Sequence, residues 1–386
     1  MLSLRRFALR TLAAVTIFAV LAVGALWLER STGITLPTPT GRFAVGRSIY
    51  DWVDDPQSPK RELLGWIWYP ATASSGAVID DYLPAWLRTQ ARVPPIFRFL
   101  TRDVTKVHGH SLRDAEVSPE QPSYPVVIMR AGASVPVVNY STLAEDLASH
   151  GYVVVGFDAP YRTSIVVFPD GRIIARRPEN NPELYSGAEL ERVGNKLLAA
   201  WIADTGFVLD RLAQFNGKFM GRLDMTRVGF FGHSFGGATA AQFCSQDSRC
   251  KAGIDIDGSL HGSVIETGIH KPFMFLLSER GDFSSDAEVR QIQADIQSVY
   301  DRLPADARIR IAIRGANHFT FSDDGALLKS RILRGMLRLF GGLGIDGRRQ
   351  LVVTAYCVHS FFDAYLKGPR VSRLDTSAYP EIRILK

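Results

Sequence analysis

Arg227-Val228-Gly229-Phe230-Phe231-Gly232-His233-Ser234-Phe235-Gly236-Gly237-Ala238-Thr239 passes from a short β-rich run, through a Gly-x-Ser-x-Gly pentapeptide, into a stretch of small residues. That context predicts strand, sharp turn and helix in succession. A serine at the apex of such a turn needs glycines on both sides, because strand and helix backbones close on each other there. Ser234 then projects its hydroxyl from the sheet edge, and the Phe235 amide points to where a carbonyl oxygen would gain negative charge.

Working outward, other β-rich runs occur at Leu63 to Tyr69, Pro125 to Met129, Tyr152 to Phe157, Ala252 to Ile256, Pro272 to Leu277 and Ile309 to Ile313. Helical periodicity links Leu190, Val193, Leu197, Trp201, Thr205, Val208 and Leu212, and again Leu351, Ala355, Val358, Phe362 and Leu366. Strands that are apolar throughout and alternate with helices predict an α/β fold whose mostly parallel central sheet is covered by helices on both faces. Val166 to Ile174 reads as a hairpin turning on Pro169-Asp170-Gly171. With no repeat and no convincing linker, residues 41–386 read as one domain, interrupted by an apolar, proline-broken insertion at about 80–110.

A serine hydroxyl needs a base within hydrogen-bond reach. His318 is the best placed, since Gly315-Ala316-Asn317-His318-Phe319 follows the last strand-like run. His233 lies inside the turn, where its side chain should point away. His150 closes a helix, His359 lies within one, and His261 and His270 flank a loop. His108-Gly109-His110 lacks a third partner for a metal. For the orienting acid, Asp257 at the end of one strand competes with Glu279 and Asp282 after the next, while Asp255 points to the same face from within its strand; the order serine, acid, histidine fits either segment. A second oxyanion donor should come from Arg130-Ala131-Gly132-Ala133-Ser134, with Gly132 or Ala133 turning an amide inward.

The chain has 386 residues, 46% hydrophobic and 10% aromatic, enough for a sizeable core, which excludes disorder and coiled coil. Arg5, Arg6 and Arg10 supply three of the formal +6, leaving too little dispersed charge for a nucleic-acid surface. After them Thr11 to Leu28 carries no charge, so residues 1–30 read as an export signal or a membrane anchor, with Val23-Gly24-Ala25 offering small residues for cleavage. Residues 31–40 are rich in Pro, Thr and Gly and suit a tether. Three cysteines build no disulfide framework, although Cys244 and Cys250 are close enough to pair.

The residues resemble the plasma-type platelet-activating factor acetylhydrolases and their bacterial lipase-like relatives, within the α/β-hydrolase superfamily. The likeness is densest at Arg227 to Thr239, continues at Lys251 to Asp257 and returns at Ile313 to Asp323, with weaker echoes at Trp66 to Thr72, Leu143 to Val155 and Phe361 to Gly368. The resemblance places the acid at Asp257 in preference to Asp282. It also implies hydrolysis of carboxylic esters, typically of short or oxidised acyl groups on phospholipids, without metal or organic cofactor. The family's first oxyanion loop usually has His-Gly where this chain has Arg130-Ala131.

The expectation is therefore an exported serine esterase, periplasmic or secreted, acting on a small ester or phospholipid, and either cleaved from its signal or anchored to the inner membrane through residues 11–28. Ser234, His318 and Asp257 would form its triad, and Phe235 with Gly132 or Ala133 its oxyanion hole. A polyester or dienelactone-type hydrolase with the same triad is the nearest alternative; a non-catalytic, membrane-tethered binding protein is a more distant one.

Overall fold

The computed structural model describes residues 2–55, 61–74, 76–89, 102–279, 287–327, 344–368 and 374–385. Its strands are β1 (Ile34–Thr35), β2 (Ala44–Val53), β3 (Glu62–Ala71), β4 (Ile79–Asp81), β5 (Val107–Arg113), β6 (Tyr124–Arg130) and β7 (Val153–Asp158). There follow β8 (Ile165–Val167), β9 (Ile173–Ala175), β10 (Leu223–His233), β11 (Cys250–Ile256), β12 (Phe273–Ser278), β13 (Arg308–Ile313) and β14 (Ile382–Ile384). The helices are α1 (Leu2–Ser31), α2 (Ala85–Arg88), α3 (Ser141–Ser149), α4 (Gly187–Ala213) and α5 (Phe235–Gln246). After these come α6 (Val264–Thr267), α7 (Ala287–Arg302), α8 (Asp324–Leu327) and α9 (Gly347–Leu366).

Apart from the β8–β9 hairpin, the strands form one sheet in the order β1-β5-β2-β3-β7-β6-β10-β11-β12-β13-β14, with β4 on β5. From β7 to β13 every neighbour is parallel, whereas β2–β3, β3–β7 and β13–β14 are antiparallel. Period-two alternation divides the side chains between two cores. Trp66, Trp68, Val127, Met129, Ile254 and Leu276 meet α3 and α9 on one face. Ile67, Tyr69, Val126, Ile128, Phe273 and Phe275 meet α4, α5 and α7 on the other.

All seven β-rich runs lie on strands, and the two periodic runs are α4 and α9. β2 and β5 fall outside these runs. Arg47 sits mid-strand in β2 yet is buried, its guanidinium donating to Asp80 Oδ2 at 2.9 and 2.6 Å, so a buried ion pair interrupts the apolar pattern. In β5, His110 Nε2 donates to the Leu36 carbonyl at 3.1 Å, which gives that histidine a backbone partner.

The segment expected to be a free tether is folded onto the domain. Ile34 and Thr35 pair with Val107 and His108, Leu36 is buried, and Thr40 bonds Asp146. α1 is long and apolar enough to cross a membrane by length and composition, and its apolar stretch is not buried by any of the described residues. Its end is fastened: Arg102 donates to Glu29 Oε1 at 2.9 Å and Lys106 to the Ser31 carbonyl at 2.7 Å. Of the apolar insertion, Tyr82 and Leu83 are buried, while residues 90–101 lie outside the described residues.

Candidate active site

β10 runs straight into Ser234, which begins α5 with φ 57° and ψ −124°. This left-handed backbone is strained for a non-glycine residue and is held by its surroundings. The Ser234 N–H donates to the Ile256 carbonyl at 2.9 Å, and the Ser234 carbonyl accepts from Gly237 at 2.8 Å. The flanking glycines are needed for space. A Cβ on Gly232 would lie 2.1 Å from the Gly236 carbonyl oxygen, and one on Gly236 would lie 2.4 Å from that of Arg130.

Because His233 is in register with Ile256, the end of β11 brings Asp257 beside the turn. Asp257 also has a left-handed backbone, φ 53°, and is fully buried. Its carboxylate accepts from the Ser278 N–H and hydroxyl, each at 2.9 Å. His318 opens a short 3-10 turn after β13, capped by Asn317, whose side chain accepts from the Phe319 N–H at 3.1 Å. From there His318 Nδ1 donates to Asp257 Oδ2 at 2.8 Å, and Nε2 accepts from Ser234 Oγ at 3.0 Å. With the Nδ1 proton fixed by the carboxylate, the Nε2 lone pair faces the hydroxyl.

The rival acids are placed elsewhere. Asp255 Oδ1 accepts from the Gly258 N–H at 2.8 Å, and Glu279 Oε2 accepts from the Gly315 N–H at 2.8 Å. Asp282 lies outside the described residues.

Two sequence expectations need correction. His233 does not point away: it is buried, its ring centroid lies 4.6 Å from that of His318, and its Nδ1 accepts from the Tyr140 hydroxyl at 2.7 Å. Burial, then the nearby His318, holds its pKa down to about 3, so its imidazole is neutral. Gly132 is also engaged. Its N–H donates to the same Tyr140 oxygen at 3.1 Å.

Behind this loop, Arg130 is buried between two rings, 4.1 Å from the Phe157 centroid and 4.0 Å from that of Trp201. Its Nη1 donates to the Phe157 carbonyl at 2.6 Å, and burial lowers its pKa to about 10, still ionised at neutrality. Trp201 in turn meets Phe235 edge-on at 5.0 Å. A groove of about 1060 Å³ runs along α4 beside Phe235, lined by Leu198, Ile202, His261, Ile265 and Ile292 among others. Next to His318, Phe319 is 76% exposed, its ring 5.4 Å from that of His318. Sequence reading overlooked Ser278, Tyr140 and Trp201. Only Trp201 left a trace, as a core member of the α4 periodicity.

The sheet order and the serine turn define an α/β-hydrolase fold. Residues 205–367 match the family model described as platelet-activating factor acetylhydrolase, isoform II. A probable 1-alkyl-2-acetylglycerophosphocholine esterase of Arthroderma benhamiae is 28% identical over 68% of this chain and 66% of its own. Platelet-activating factor acetylhydrolase of Cavia porcellus is 26% identical over 63% of this chain and 58% of its own. The chain thus spans about three-fifths to two-thirds of the length of these relatives. Among solved structures, a ferulic acid esterase from Streptomyces cinnamoneus superposes with a TM-score of 0.72 at 27% identity, covering 92% of this chain and all of the other. The resemblance read from the sequence, to platelet-activating factor acetylhydrolases within the α/β-hydrolases, is borne out by these matches.

Proposed function

We propose that this chain is a serine carboxylic ester hydrolase working through an acyl-enzyme. The observation that carries the reading is the continuous hydrogen-bonded series Ser234, His318, Asp257, with contacts of 3.0 and 2.8 Å. In this mechanism Ser234 Oγ attacks the ester carbonyl as His318 Nε2 takes its proton. Asp257, aimed by Ser278, holds the Nδ1–H tautomer and stabilises the imidazolium. The oxyanion is received by the Phe235 amide and that of Ala133, because Gly132 already donates to Tyr140. His318 then protonates the leaving alcohol, and water repeats the cycle on the acyl-serine.

Ester-linked short acyl groups of glycerophospholipids are the favoured substrate class, supported by the two curated relatives named above. Exposed Phe319 and the apolar side of the α4 groove suit a lipid-like ester. Feruloyl esters are a second reading, favoured by the structural relative that superposes over its whole length. Export, with α1 as signal or anchor, completes the proposal; its support is the apolar, uncovered helix.

Fluorophosphonate labelling of the full chain, read by mass spectrometry, tests the nucleophile. Wild type should carry the adduct on Ser234, and Ser234→Ala should lose both adduct and ester hydrolysis, by several orders of magnitude in rate, while unfolding at the wild-type midpoint. A folded Ser234→Ala variant with full activity would refute it. Comparing a short-acyl phospholipid, a feruloyl ester and p-nitrophenyl acetate then ranks the substrates.

A further inference from the structure

Outside the triad, three protein segments converge on a second set of metal-ligating groups. Asp146 lies in the last turn of α3 and His150 just beyond it, His359 lies within α9, and Thr40 ends the extended segment that follows α1. The two imidazoles stack with centroids 3.9 Å apart and an interplanar angle of 20°. One carboxylate oxygen lies near both: Asp146 Oδ2 is 2.9 Å from His359 Nδ1 and 3.9 Å from His150 Nε2.

We propose that Asp146, His150 and His359 form a binding site for a borderline divalent transition metal, zinc being the best fit. Zinc holds nitrogen and carboxylate oxygen at about 2.0–2.2 Å in tetrahedral array, which sets neighbouring donors roughly 3.3 Å apart. Here the three donor atoms all lie within 4.8 Å of one another, and loading would require the stacked rings to tilt so that their lone pairs converge on the ion. Two imidazoles with one carboxylate favour zinc over calcium or magnesium, which take oxygen ligands.

The surroundings orient the carboxylate as a ligand requires. Asp146 Oδ1 accepts from both the Thr40 N–H at 2.9 Å and the Thr40 hydroxyl at 2.8 Å, which fixes the group and turns Oδ2 toward the imidazoles. Outer hydrogen bonds of this kind hold metal ligands in place. Thr40 Oγ is also 2.9 Å from His150 Nε2, so the hydroxyl would give up that contact as the ion enters. Binding at His359 Nδ1 leaves the ring proton on Nε2. The side chains are 21% exposed at His150 and 12% at His359, which opens a path for the ion and room for water as fourth ligand.

None of these residues belongs to the proposed triad, so the metal's role is structural. It would pin the segment leading from α1 to α3 and α9 together.

The test uses the full chain freed of metal by chelation and titrated with zinc chloride, with bound metal counted by mass spectrometry and thermal melting followed in parallel. Wild type should bind one zinc per chain and melt at a higher temperature when loaded. His150→Gln and His359→Gln should each weaken binding at least about tenfold and remove the temperature rise while retaining ester hydrolysis. Should either variant fold poorly, wild type loaded with cobalt supplies an independent readout: tetrahedral visible absorption with nitrogen ligation supports the site, and an octahedral hydrated spectrum overturns it. Absence of stoichiometric zinc in wild type, or unchanged affinity in a folded variant, also overturns it.

Discussion

His233 and His318 lie against each other with ring centroids 4.6 Å apart and planes tilted by 39°, yet only His318 reaches Ser234. The buried neighbour has to stay neutral if His318 is to work as proposed, because a second cation there would oppose an imidazolium on His318. Its folded pKa of about 3 lies below the ordinary 6.5, so from neutrality down to about pH 6.5 neither state takes up this proton. Below that, down to about pH 3, the unfolded chain binds a proton that the folded chain refuses, and stability falls with pH by up to about 1.4 kcal/mol per unit. His233→Gln should lose that component of the slope. Denaturant midpoints at several values between neutrality and about pH 4 provide the measurement; an unchanged slope contradicts the account.

Asp257→Asn leaves the shape of the site but removes the charge that holds the His318 tautomer. The Ser278 hydroxyl can still bond the amide oxygen, so the fold should persist. We expect kcat to fall by about 10³- to 10⁴-fold, the scale seen when a triad carboxylate is neutralised. Steady-state kinetics alongside an unfolding curve separates this from misfolding. A folded variant within tenfold of wild type would remove Asp257 from the mechanism.

Cys244 and Cys250 form a disulfide between α5 and the start of β11, with a sequence separation of 6. So short a loop restrains the unfolded chain modestly, by about 2 kcal/mol in the chain-entropy model. Cys244→Ala/Cys250→Ala should therefore lower stability by that order and leave hydrolysis unchanged at ambient temperature. The denaturant midpoint and initial rates read the two effects separately.

What the sequence made legible were features encoded locally. Apolar runs gave seven strands, and Gly232 and Gly236 marked the turn because no larger side chain fits there. What it concealed depends on distant partners. β2 was hidden because Arg47 is buried against Asp80, thirty-three residues away, and nothing local distinguishes a buried arginine from a solvated one. Gly132 looked like a free donor because Tyr140, eight residues on, shows no local sign of folding back onto it. Ser278 gave no cue to its hold on Asp257, because only the pairing of β11 with β12 brings the ends of these strands together.

Arg130, standing where the resembling family usually has histidine, offers a test of how the oxyanion loop is supported. The cation is held by two aromatic faces and one carbonyl, and Asp204 and Asp158 both favour its charge. Asp158 depends on it in return. Burial raises that carboxyl to about 6, against bonds from the Val137 N–H and the attraction of Arg130, which act downward. A folded pKa above the ordinary 3.8 means that this group's stabilising share is complete below about pH 4 and is lost as pH rises through about 6. Arg130→Met keeps length and apolar contact but removes the cation, so the Asp158 pKa should climb further and the loss should extend above neutrality. We expect destabilisation of about 3 kcal/mol at neutral pH, greater at about pH 8 than at about pH 6. Trp201, no longer stacked on a guanidinium, loosens against Phe235, and kcat/KM should drop about tenfold. Adding Asp158→Asn should restore part of the stability, because the stranded carboxylate is gone. If the two substitutions destabilise additively, the Arg130–Asp158 coupling does not exist.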